Sequence, residues 1–173
     1  MRLKRHAGRA RHNRLVTRPA IGHVSVSVLV RAPVETVWAA TTDWERQSQW
    51  MLGTTVRGAV NGGQGVGGGI EAWTGIGPLG FLDTMVITAW EPPHRCLVDH
   101  TGRVIKGTGA FEVTTDPRNP DGSSTLTWVE DVELPLGALG RFGWLLLRPV
   151  VRLGVAHSLK RLATAVSNTA SSR

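Results

Sequence analysis

Tyrosine is absent from this 173-residue chain, and cysteine occurs once. No stretch approaches the ~18 consecutive apolar residues of a membrane-spanning helix. Each absence excludes something. Without tyrosine there is no phenol-based catalytic apparatus; the aromatic content is seven Trp and three Phe, which suits bulky apolar walls. The lone Cys96 cannot form an internal disulfide and fits a reducing, cytoplasmic compartment. One cysteine and six scattered histidines show no ligand spacing, so no metal is expected, and nothing calls for another cofactor. There is no G-x-S-x-G elbow, and Cys96 lacks a basic neighbour in a plausible elbow, which argues against hydrolytic chemistry.

Acidic residues are missing from one place in particular. Residues 1–20 hold seven Lys or Arg and no acid, whereas the rest of the chain holds thirteen bases and thirteen acids. The net charge of +7 therefore belongs to a tail. Three readings of it stand open: contact with phosphates of nucleic acid or lipid headgroups, a solvated disordered extension, or a start site placed too early. A neutral body argues against nucleic acid as the main partner. The tail is no secretory signal, because Val24 to Val30 alternates with Ser instead of forming an apolar block. The division expected is a basic tail over 1–20 and one domain over 21–173, large enough to bury a real core. High Arg and Ala content with little Lys suggests a bacterial genome.

From residue 23 the pattern is that of strands. HVSVSVLV alternates, placing Val24, Val26, Val28 and Val30 on a buried face. Pro33 suits a first helical position, Glu35 favours a helix N-terminus, and Asp43 is placed to cap a second short helix. Strands are expected over 54–59, 66–74, 84–90, 95–101, 104–115 and 125–134. Asn61-Gly62-Gly63 supplies a hairpin with positive φ, and the run GGQGVGGG lacks the Lys-Ser/Thr ending of a phosphate loop. Gly107 and Gly109 share a strand face and admit close approach by a bulky neighbour or ligand.

From Ala138 to about Asn168 the pattern is helical. Leu139, Phe142, Leu146, Val150 and Leu153 fall on one side with Arg141, Arg148 and Arg152 opposite, while Val155, Leu159, Leu162 and Val166 fall where the arginines were. With Pro149 and Gly154 at the change, a helix broken or bent between Arg148 and Val155 is expected. Its second half should grip the sheet. The first half reads as a cavity lid, a dimer face or a membrane-touching edge.

The segment VLVRAPVETVWAATTDWERQSQW (28–50) resembles the opening of the START-like (SRPBCC) superfamily, the polyketide cyclase/dehydrase and lipid-transport group. Ala89-Trp90-Glu91-Pro92-Pro93, Leu126-Thr127-Trp128-Val129-Glu130, Glu133-Leu134-Pro135-Leu136-Gly137 and the long C-terminal helix resemble it too, in order, over about residues 23–168. The resemblance implies an α+β helix-grip fold, Bet v 1-like. A curved antiparallel sheet of about seven strands would wrap a long C-terminal helix around one internal cavity, with two short helices after the first strand.

Strand alternation then nominates the lining. Leu126, Trp128, Glu130, Val132 and Leu134 share a face, apolar but for Glu130. That carboxylate reads either as a ligand anchor or general acid/base, or as a residue paired near the mouth with Lys106 or Arg141. His100, beside Cys96 and Val98, reads as a proton-transfer group or as a histidine bonded to the backbone. Val28, Trp38, Trp73, Val98, Leu126 and Trp128 are the candidate walls; His100 and Glu130 are the candidate polar and catalytic groups. The expected function is binding, with transport as its extension, of a small hydrophobic molecule such as a lipid, isoprenoid or polyketide. The alternatives are a polyketide aromatase/cyclase using Glu130 and His100, and an interaction protein docking on membrane or nucleic acid through its tail. Residues 140–153 are the candidate for peripheral membrane contact.

Overall fold

The computed structural model describes residues 20–119 and 122–171. The expected tail over 1–20 lies outside the described residues, save for the backbone of Ala20, which opens β1. The chain runs β1 (Ala20–Val30), α1 (Val34–Thr41), a 3-10 turn (Trp44–Gln49), β2 (Thr54–Gly58), a second 3-10 turn (Val60–Gly63), β3 (Gly69–Ile76), β4 (Leu79–Glu91), β5 (Arg95–His100), β6 (Gly107–Thr115), β7 (Ser124–Leu134) and α2 (Ala138–Ser171). The described strands form one curved antiparallel sheet in the order β1-β7-β6-β5-β4-β3-β2. Each neighbour except β1 follows its partner in sequence, so hairpins build the sheet and β7 returns to pair with β1, Val26 opposite Trp128.

Local chemistry explains most boundaries. The Pro33 carbonyl accepts from Thr36 N and Val37 N, so the proline stands just outside α1. Asp43 does not cap the following turn with its side chain; its carboxylate instead pairs with Arg46 at 3.6 Å. β3 begins at Gly69, later than residue 66, because Gly65 and Gly67 take positive φ (71° and 84°) that a strand does not allow. Likewise β6 begins at Gly107, later than 104, and residues 101–106 form a loop.

The core lies between the concave face and α2. Val30, Val37, Ile87, Val113, Leu126, Leu159 and Leu162 are almost wholly buried in it. Trp38 packs edge-on against Trp90 at 5.0 Å. Burying side chains of this size contributes ~1.5–3 kcal/mol each.

The expected break in α2 is not found: the helix runs unbroken through Pro149. A single inward stripe serves both halves. Trp144, Val151, Val155, Leu159, Leu162 and Val166 repeat at helical spacing, and all are buried or half-buried. The apolar set chosen from the sequence for the first half, Leu139 to Leu153, faces away from the sheet, so no change of phase is required. Trp144 anchors that half where Gly22 leaves room; a Cβ there would meet the indole at 2.6 Å.

Candidate functional site

Between sheet and helix lies a cavity of about 470 Å³, within the size range of small-molecule sites. The face that lines it is fixed by strand alternation. β3 contributes Ile70, Ala72 and Thr74; β4 contributes Phe81, Asp83 and Met85; β5 contributes Cys96, Val98 and His100. Phe111 of β6 and Trp128, Glu130 and Val132 of β7 continue the wall, and Trp144, Val151 and Val155 of α2 close it. Val104, Ile105 and Lys106, from the loop ahead of β6, also line it, as do Trp44, Gln47, Met51 and Val56 from the stretch between α1 and β3. Phe111 and Trp128 lie 5.2 Å apart, and Trp50 stands edge-on behind both.

One polar chain crosses this apolar face. His100 Nδ1 donates to Asp83 Oδ2 at 2.6 Å, and His100 Nε2 donates to Glu130 Oε2 at 3.0 Å. The indole Nε1 of Trp128 donates to Glu130 Oε1 at 2.6 Å. His100 sits on β5 and Glu130 on β7, with β6 between them. They meet because β6 presents Gly107 and Gly109 at that point: Gly107 pairs with His100, and Gly109 with Glu130. The close approach read from these glycines in the sequence is made by this pair.

Burial alone pulls the His100 pKa down, but the hydrogen bonds and charges of Asp83 and Glu130 outweigh it and push it up to about 9. At neutral pH His100 is an imidazolium, and both its N–H groups are spent on carboxylates. Burial also pushes the Cys96 thiol up to about 12, which keeps it un-ionised and a poor nucleophile. The side chains of His100 and Asp83 are each 5% exposed, and that of Glu130 is 21% exposed. Glu130 is therefore the member of the chain most open to the cavity. It holds acceptor capacity beyond its two present donors.

Of the residues nominated from sequence, Val98, His100, Trp128 and Glu130 stand around the cavity together. Val28, Trp38 and Leu126 do not line it; they pack in the core beside it. Trp73 is a correction. Ile70, Ala72 and Thr74 point inward, so Trp73 stands on the opposite face, 38% exposed, against Gly80. Glu130 pairs with His100 rather than with Lys106 or Arg141; Lys106 Nζ donates to the Thr101 carbonyl. β4 begins at Leu79, five residues ahead of the expected start at Thr84, and so takes in Asp83, which the sequence reading does not reach. Extending the alternation of Met85 and Ile87 back to Phe81 would have found it. Asp99 on β5 and His157 on α2 are both exposed.

A family model described as polyketide cyclase / dehydrase and lipid transport matches residues 22–167. The chain belongs to this family. Solved structures agree on the fold. The ZhuI aromatase/cyclase from Streptomyces sp. R1128 is 16% identical with a TM-score of 0.66, over 85% of this chain and 94% of that one. A protein from Thermus thermophilus is 14% identical with a TM-score of 0.67, over 85% and 98%. The di-domain aromatase/cyclase StfQ of the steffimycin biosynthetic pathway is 11% identical with a TM-score of 0.65, over 88% of this chain and 52% of that one. No curated protein matches the chain in sequence. Among the described residues, no helix is long and apolar enough to cross a membrane.

Proposed function

We propose that the protein binds, and carries, a small hydrophobic molecule in the cavity between sheet and α2. The observation that supports this reading is the cavity itself: about 470 Å³ of mainly apolar wall with one concentrated polar patch at Asp83, His100 and Glu130. Apolar walls supply affinity, and a few convergent polar groups fix orientation. The exposed part of that patch is an acceptor whose nearest donors are already engaged, which favours a ligand end bearing a hydroxyl or phenol. Contact with a membrane through residues 140–153 belongs to the same reading, as the route by which a lipophile would arrive. The test is native mass spectrometry of protein purified from its host, followed by organic extraction. A stoichiometric lipophile, lost from Trp128→Ala, supports the proposal. A protein that takes up no lipophile, before or after Trp128→Ala, would sink it.

A second reading, polyketide aromatase/cyclase activity, is favoured by the Asp83–His100–Glu130 chain. Glu130 would take a proton from the carbon beside a ketone of a bound polyketide and pass it to the hydroxyl that leaves as water, while the His100 imidazolium, held by Asp83, would stabilise the enolate between the two transfers. Turnover abolished in Glu130→Gln with binding intact would select this reading; a polyketide panel left unchanged by wild-type protein would remove it.

A further inference from the structure

The first half of α2 exposes an apolar surface that nothing in the fold covers. Leu139 and Leu153 are 67% and 71% exposed, and Phe142, Leu145, Leu146 and Val150 are exposed between them. Placed at roughly 100° per residue, these side chains and Leu147 span an arc of roughly 200° on the side of the helix away from Trp144 and Val151. No acid occurs after Glu133, so the segment has no negative charge to set against this face.

The width of the arc decides between occupants. A second copy of the helix would cover a narrow seam of alternating three and four spacings, leaving much of a roughly 200° arc in water. A bilayer covers all of it. Arg141, Arg148 and Arg152 are exposed on the opposite flank, toward the body of the protein. With the leucines in the acyl region, those guanidinium groups stand at the level of the headgroup phosphates, the arrangement of an interfacial helix. Trp144 and Val151 of the same turns line the cavity, so the inserted segment is also one wall of the ligand site.

We infer that residues 139–153 of α2 insert side-on into the surface of an anionic bilayer, leaving the arginines among the phosphates and the cavity wall against the membrane. The inference rests on the carrier reading for its purpose and on the exposed arc for its evidence.

The experiment uses the full chain with an environment-sensitive fluorophore on Leu146→Cys, and separately on Thr55→Cys, an exposed site on the outer face of β2. Buried Cys96 stays unlabelled. Vesicles are phosphatidylcholine alone or with about 30% phosphatidylglycerol, a fraction sufficient to probe charge attraction. The expected result is a blue shift at Leu146→Cys only, strongest on anionic vesicles. Sedimentation should show at least tenfold weaker partitioning for Leu146→Glu/Leu153→Glu with unchanged thermal melting. Three results would overturn the inference: no shift at Leu146→Cys; equal partitioning of the double variant, which would assign lipid binding to residues 1–20; or a dimer in solution that the double variant dissociates. Vesicle insertion without any extracted lipophile would remove the carrier reading and leave this one standing.

Discussion

A side chain on Gly109 would stand 3.1 Å from Glu130 Oε1 and 3.2 Å from Val98. The glycine is thus the gap through which His100 and Glu130 reach one another over β6. Gly109→Val should push Glu130 aside and strain the wall, costing ~1–3 kcal/mol. At roughly 2–4 °C per kcal/mol for a chain of this size, the melting temperature should fall by several degrees. The check is thermal melting alongside lipophile affinity, and an unchanged melting temperature with unchanged binding would contradict the packing described.

The pH dependence follows from His100. Its pKa in the fold, about 9, exceeds the ordinary 6.5. The stabilisation it brings is therefore fully present below about pH 6.5 and is lost as pH rises through 9. Asp83 and Glu130 bond its ring, and Lys106 and Cys96 also line the cavity. Cys96 stays a thiol over this range. The melting temperature should decline between about pH 6.5 and 9.5 in wild type, and the decline should be shallower in His100→Gln.

The acceptor character of Glu130 predicts a preference among ligands. In displacement of N-phenyl-1-naphthylamine, 2-naphthol should compete about tenfold better than 2-naphthoate, because a bound carboxylate would face Glu130 across a poorly screened cavity. Glu130→Gln, which gains a donor, should narrow that ratio. Equal competition by both naphthalenes in wild type would show that Glu130 does not read the ligand.

Cys96 should resist iodoacetamide at about pH 8.5 in the folded protein and react readily once denaturant exposes it. Mass spectrometry of the alkylated protein measures both. Rapid modification under native conditions would place the thiol outside the wall assigned to it.

Period-two alternation made most of the sheet legible in the sequence: in HVSVSVLV the serines are exposed while Val24 and Val30 are buried, and in TLTWVEDVEL the same period sets Trp128, Glu130 and Val132 on the cavity side although both faces are half-buried there. It also put Trp128 and Glu130 on one side. What it could not give was the partner of Glu130. A pairing that skips a strand depends on the sheet order and on two glycines coming into register with it, neither of which is local. The helix misled for a different reason. The most apolar stripe of a segment is normally its packing face, and here the exposed set from Leu139 to Leu153 outweighs Trp144 and Val151, which do the packing. Hydrophobicity identified a surface that avoids water without saying what it meets.

The want of tyrosine noted at the outset has an optical consequence. With no phenol in the chain, near-ultraviolet emission excited in this protein comes almost wholly from indole. Three of those indoles, Trp44, Trp128 and Trp144, border the cavity, and the second of them donates its N–H to the Glu130 carboxylate. Occupancy should therefore write itself into colour and lifetime, so that loading and unloading can be followed in real time on unlabelled protein.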